Sequence, residues 1–182
     1  VRDENSAAVI LMRDASGSMG EFEKYVTRSH AWWYVDFLRD KYPAVETVFI
    51  LHHTEAEEVT EESFFKRGES GGTMCSSGNQ LAFQIMRERF PSSRYNTYVL
   101  HYSDGDNLGE PDNKICLGLI GEMLNIEDIN QYGYIQTGDR SSSLRRTYEQ
   151  NIKDPRFNIA VIADKTQVHQ ALRQLLSETE VV

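Results

Sequence analysis

AAVILMR at residues 7–13 runs without a spacer into DASGS at residues 14–18. The first segment is apolar until its last residue, the pattern of a strand covered on both faces in a parallel sheet and not of one lying half in water. The second has the opposite chemistry: a carboxylate and two hydroxyls on alternating positions, Asp14, Ser16 and Ser18, with Gly17 between the hydroxyls. Such a triplet serves as a turn, a nucleophile or a metal cradle. The tip of a buried strand is also where open α/β sheets bind ligands.

Outward from this stretch, helix and strand patterns alternate. Glu21 to Tyr42 is predicted as a long helix, with Phe22, Tyr25, Val26, Trp33, Phe37 and Leu38 on one broad apolar face and Pro43 as its stop. Val45 to His53 reads as the second strand, and Ala56 to Thr60 as a short edge strand whose glutamates deter unwanted pairing. Gly68 to Gly78 reads as a loop, Asn79 to Phe90 as a helix with Pro91 just past its end, and Asn96 to Ser103 as a strand with Asp104 at its tip. Lys114 to Leu124 (helix), Gln131 to Thr137 (strand), Leu144 to Asn151 (helix), Phe157 to Ala163 (buried strand) and Thr166 to Leu176 (helix) complete the alternation. The expected class is α/β: a doubly wound, mostly parallel six-stranded sheet flanked by helices, forming one domain over residues 1–182. A first residue of valine fits a domain excised from a longer chain or a processed chain.

With 182 residues, 40% hydrophobic and 26% charged, the chain can bury one good core. Its formal charge of −9 argues against nonspecific nucleic-acid binding, which depends on clustered lysine and arginine. No stretch reaches the length of a membrane helix and no basic-then-apolar leader opens the chain, so a cytoplasmic protein without a membrane partner is expected. Cys75 and Cys116 have no cysteine or histidine nearby at zinc-ligand spacing, and they read as core thiols in a reducing compartment.

Three segments are expected to meet at the carboxyl edge of the sheet: DASGS at 14–18, GGT at 71–73 and SDGDN at 103–107. Hydroxyl and carboxylate oxygens are hard ligands that suit Mg²⁺ or Mn²⁺. Gly17 lets Ser16 and Ser18 face one side, and Gly71 with Gly72 lets Thr73 approach closely. Asp106 and Asn107 lie just beyond Asp104, and Glu69 sits in a glutamate-rich rim that starts at Glu55. His52 and His53 must point to opposite faces of their strand, one packed inside and the other, taken here as His53, reaching the rim.

Asp14-Ala15-Ser16-Gly17-Ser18, then Thr73, then Asp104-Gly105 resembles the metal-ion-dependent adhesion site of von Willebrand factor A (vWA) domains. The blocks DASGSMGEFEKY, HHTEAEEVTEE, FFKRGESGGTMCSS and HYSDGDNL are similar to the bacterial YeaH/YhbH family of stress and sporulation proteins. The resemblance implies Ser16, Ser18 and Thr73 as direct hydroxyl ligands, with Asp14 and Asp104 binding the ion through water or directly. It also implies a protein partner that completes the coordination with an Asp or Glu, and a bacterial serine protein kinase as a candidate for that partner. A bound cation would supply the positive charge that an acidic chain lacks.

Two enzymatic alternatives compete with an interaction domain. Gly68-Glu69-Ser70-Gly71-Gly72 fits the nucleophile-elbow pattern, with His101 or His169 as base, but neither SFFKR before it nor GGTMCSSG after it supplies the strand and helix that an elbow requires. Asp14 and Asp104 could form a Mg²⁺-dependent phosphohydrolase pair, yet the second acid usual two residues after such a nucleophile is replaced by Ser16. On a helix Trp32 and Trp33 lie about 100° apart, close enough to share a wide buried face, and at least one is expected in the core.

Overall fold

The structure, a computed structural model, describes residues 5–69 and 71–177. Its first strand, β1 (Ser6–Asp14), is fully covered from Ala7 to Asp14. Alternation divides it between two cores: Ala7, Val9 and Leu11 enter one, and Ala8, Ile10 and Met12 the other. On either side run β2 (Ala44–His52) and β4 (Asn96–Ser103), both parallel to it. The sheet order is β3-β2-β1-β4-β5-β6, with β3 (Ala56–Val59) as an antiparallel edge and β5 (Gln131–Thr137) and β6 (Phe157–Ile162) parallel. This is the expected doubly wound α/β sheet of six strands.

Helices cover both faces. On one side α1 (Glu21–Lys41), the short α2 (Glu61–Lys66) and, at the chain's end, α6 (Val168–Leu176) contribute Tyr34, Phe64 and Leu175 to the core of Val9 and Leu11. On the other, α3 (Cys75–Arg89), α4 (Glu110–Asn125) and α5 (Ser143–Asn151) contribute Ile85, Ile120 and Tyr148 to the core of Ile10 and Met12. The chain leaves β1 toward β2 and leaves β4 toward β5, so the connections of these two neighbouring strands diverge and open a crevice at their carboxyl ends.

Several boundaries differ from the expectation. The loop read over Gly68–Gly78 is shorter, because α3 begins at Cys75 and not at Asn79. Its start is held from outside: Asn107 accepts from the Cys75 amide at 2.9 Å and Asp112 from the Ser76 amide at 3.1 Å. Likewise α4 starts at Glu110, with Pro111 in its first turn, and not at Lys114. The glutamate-rich stretch read as a rim contains α2, whose N-cap Thr60 accepts from the Ser63 amide at 3.2 Å. Neither tryptophan is in the core: Trp32 is 55% exposed and Trp33 45%, and their rings meet edge to face at 4.7 Å. The buried stripe of α1 instead runs through Val26, Thr27, His30, Ala31, Tyr34, Val35 and Leu38, leaving positions 32 and 33 on the outer side. His30 enters that stripe because the Tyr102 hydroxyl lies 2.9 Å from its Nδ1. The last helix is preceded by a 3-10 turn at Lys165–Gln167, where Asp164 closes a capping box with Gln167.

Candidate metal centre

Asp14 ends β1 with its carboxylate buried on the α3 side of the sheet. Its Oδ1 accepts from the Ser16 amide at 2.8 Å, while its Oδ2 is buried with no hydrogen-bond partner. The same turn brings the Ser16 and Ser18 hydroxyls within 3.1 Å of each other. Asp104, at the tip of β4, repeats the motif: Oδ1 accepts from the Asp106 amide at 3.0 Å and Oδ2 is buried without a partner. Burial pushes the Asp14 carboxyl up to about 6, and the nearby Asp104 charge acts in the same direction, against the Ser16 amide and the Arg13 guanidinium. Two buried carboxylate oxygens that lack donors, beside two hydroxyls, form a site with spare negative charge.

Backbone contacts tie the third segment to the first. The Glu69 amide donates to the Ala15 carbonyl at 2.7 Å, and the Met74 amide to the His53 carbonyl at 2.7 Å. Between these anchors lies Thr73, 8% exposed, following Gly71 with φ +152°. A Cβ on Gly17 would stand 3.7 Å from the Glu69 carbonyl oxygen, so the two loops are in near contact. Ser70, on which the nucleophile-elbow reading rested, lies outside the described residues.

On the opposite face, Arg13 holds the loop from below. Its buried guanidinium donates to the carbonyls of Phe64 at 2.6 Å and Asp14 at 3.2 Å, and also to that of Arg67. Burial lowers its pKa to about 10, which keeps it a cation at neutral pH. The sequence reading missed this residue, although a cation next to an aspartate at the end of an apolar run is its visible trace.

The rim residues divide. His53 is partly exposed, with its Nδ1 3.2 Å from the Thr54 hydroxyl. Glu69 is partly exposed and accepts from Arg67 Nε at 2.8 Å. Asp106 is exposed, with its carboxylate 3.8 Å from Arg140. Asn107 points away from solvent: besides accepting from Cys75, it donates to Asn113 Oδ1 at 2.8 Å. It positions α3 and is not a free rim group.

Beneath Asp14 the fold assembles a group that sequence spacing concealed. His52, paired with Asp14 in register, and His101, paired with Met12, reach across β1 until their Nε2 atoms are 2.8 Å apart. Cys75 Sγ joins them, all three donor atoms lying within 4.8 Å of one another. Burial holds His52 down to about 3 and His101 low as well, so both imidazoles are neutral, and it pushes the Cys75 thiol up. Both cysteines are free and buried, as expected, but Cys75 does have histidines beside it in space.

The family model described as "Protein of unknown function (DUF444)" matches residues 1–179. A UPF0229 protein of Halalkalibacterium halodurans is 45% identical over 99% of this chain and 46% of its own length, so the chain spans about half the length of such curated relatives. Among solved structures, the von Willebrand factor type A protein from Catenulispora acidiphila superposes with a TM-score of 0.67 at 13% identity, covering 94% of this chain and 43% of that one. The manganese-loaded TRAP protein of Plasmodium vivax does so at 0.62 and 11% identity, over 96% and 74%. These solved structures are similar in fold, as the vWA resemblance implied.

Proposed function

The chain belongs to the DUF444 family of proteins of unknown function, and from that premise and the vWA-like fold we propose that it is a metal-dependent protein-recognition domain and not an enzyme. One observation carries the reading: Asp14 Oδ2 and Asp104 Oδ2 are buried without donors at the same crevice as the paired Ser16 and Ser18 hydroxyls. Oxygens in that state call for a cation. Ser16, Ser18 and Thr73 would hold Mg²⁺ or Mn²⁺ through their hydroxyls, with Asp14 and Asp104 behind them, an all-oxygen donor set of the kind these ions prefer. Bound there, the ion would supply positive charge and an open coordination position for an Asp or Glu of a partner protein. The manganese-loaded state of one structural neighbour supports this choice of ion.

The chain's own residues set the specificity. Arg13 fixes the loop geometry from the opposite core, and Asp106 and His53 line the approach. The acidic surface and the charge of −9 disfavour nucleic acid and anionic lipid, and among the described residues no helix is long and apolar enough to cross a membrane. We place the domain in the cytoplasm, acting in a stress or sporulation response with a serine protein kinase as the partner to test first.

The test is a Mn²⁺ titration of chelator-stripped protein, followed by electron paramagnetic resonance and calorimetry. One saturable site is expected, lost in Ser16→Ala/Ser18→Ala and weakened about tenfold or more in Thr73→Ala, whose circular dichroism should match the wild type. Equal binding by all three proteins would reduce the hydroxyls to turn-formers. Capture of the kinase in Mg²⁺ but not in chelator would support the partner assignment, and steady phosphoester turnover dependent on Asp14 would replace recognition with hydrolysis.

A further inference from the structure

His52, Cys75 and His101 come from β2, α3 and β4, and their donor atoms converge within 4.8 Å inside the α3-side core. All three side chains are fully buried. Core positions of this kind are normally filled by hydrocarbon, as they are at Ile50, Val99 and Ala82 of the same core, whereas here His101 meets the Tyr134 ring edge-on at 5.6 Å. Each imidazole offers its Nε2 to the other at 2.8 Å, while neither Nδ1 has a partner. Room for this has been made in α3: a Cβ on Gly78 would stand 2.8 Å from His52 Cδ2, so a side chain there would displace the ring.

We propose that His52, Cys75 and His101 form a second, separate metal site, selective for a borderline transition-metal ion of the Zn²⁺ class. Two imidazole nitrogens and a thiolate are a donor set that Zn²⁺ takes readily and that Mg²⁺ and Mn²⁺ do not seek, so donor chemistry separates this site from the oxygen crevice above it. Ligand distances of about 2.0–2.1 Å to nitrogen and 2.3 Å to sulfur require the Nε2 atoms to open by roughly half an ångström from their hydrogen-bonded 2.8 Å. On binding, the Nε2–H···Nε2 bond is exchanged for two nitrogen–metal bonds. The accepting ring keeps its proton on Nδ1, and the donating ring gives up its Nε2 proton and takes one on Nδ1, a change of tautomer that releases no net proton from either imidazole. The Cys75 thiol loses its proton to solvent as the sulfur–metal bond forms, with no change of oxidation state. Three protein donors leave the fourth tetrahedral position to water. The ion would join β2 and β4, the strands that flank β1, to the start of α3, with Asp104 just past the end of β4 and Thr73 just before α3, and would brace the upper site from below.

Cobalt(II) serves as the optical probe for this site. Titration of the chelator-stripped chain in excess Mg²⁺ is expected to give, at one equivalent, a thiolate-to-cobalt charge-transfer band that Zn²⁺ then abolishes. The band should persist in Ser16→Ala/Ser18→Ala, which separates it from the adhesion-type reading, and in Cys116→Ser. It should vanish in Cys75→Ser, and His101→Gln should weaken cobalt at least tenfold. A folded wild type without the band overturns the proposal, as does a band lost with Cys116 or an affinity unchanged in His101→Gln. Should Cys75→Ser fail to fold, the wild type and Cys116→Ser still decide the matter, because the chain has only these two cysteines.

Discussion

His30 lies in the middle of α1 with no exposure, its Nδ1 2.9 Å from the Tyr102 hydroxyl and its ring stacked near Tyr34. Burial lowers its pKa from 6.5 to about 3. The unfolded chain therefore takes up a proton between those values that the fold refuses, and the stability the neutral ring contributes is present above pH 6.5 and lost as pH falls toward 3. One such proton gives a slope of about 1.4 kcal/mol per pH unit. Urea midpoints between pH 4 and 6.5 should show that slope reduced by about this amount in His30→Gln; an identical slope would mean that the ring is charged in the fold. This residue also marks a limit of sequence reading. A histidine on the apolar side of a helix carries no local sign of the tyrosine that will satisfy it from a strand. Asp14, Ser16 and Ser18 were legible because the chain itself places them within five positions of one another. His52, Cys75 and His101 were not, since only the parallel sheet brings them together.

Among the elements, α3 shows most directly how distant residues govern a local start. Its first amides are satisfied by Asn107 and Asp112, the latter also accepting from the Ser76 hydroxyl, and Met74 supplies no side-chain cap. A helix capped by another part of the chain has no cap signal beside it, and the expected boundary at Asn79 fell a turn late for that reason. By contrast α2 was legible, with Thr60 as cap and Glu61 and Glu62 in its first turn, but its glutamates were read only as charge. Asn107→Ala removes both the Cys75 cap and the bond to Asn113, and a loss of about 1–2 kcal/mol is expected in urea unfolding. Since Thr73 leads directly into α3, the same variant should bind Mn²⁺ more weakly. Wild-type stability with intact Mn²⁺ affinity would show that the amide finds water instead.

At the scale of the whole molecule, the crevice stands where the sheet order turns back on itself, with one core below each side of β1. An ion held by segments from β1, β4 and the loop before α3 binds only the folded chain. Mn²⁺ at 100 times its dissociation constant should therefore add about 2.7 kcal/mol to the unfolding free energy, and Ser16→Ala/Ser18→Ala should abolish the gain. A gain of equal size in that variant would locate the stabilising ion elsewhere. The layered architecture was readable because apolar runs and amphipathic helices alternate, whereas exposure of Trp32 and Trp33 depended on which arc of α1 the sheet selects. The central place of β1 also has a consequence for how the chain is made. This strand leaves the ribosome before its neighbour β4, which begins only at Asn96, so at about 5–20 residues per second one flank of β1 stays without a partner for on the order of 10 s. During that interval the backbone N–H and C=O groups along one edge of AAVILM stand unpaired on a nascent chain, a template for pairing with a strand of another chain.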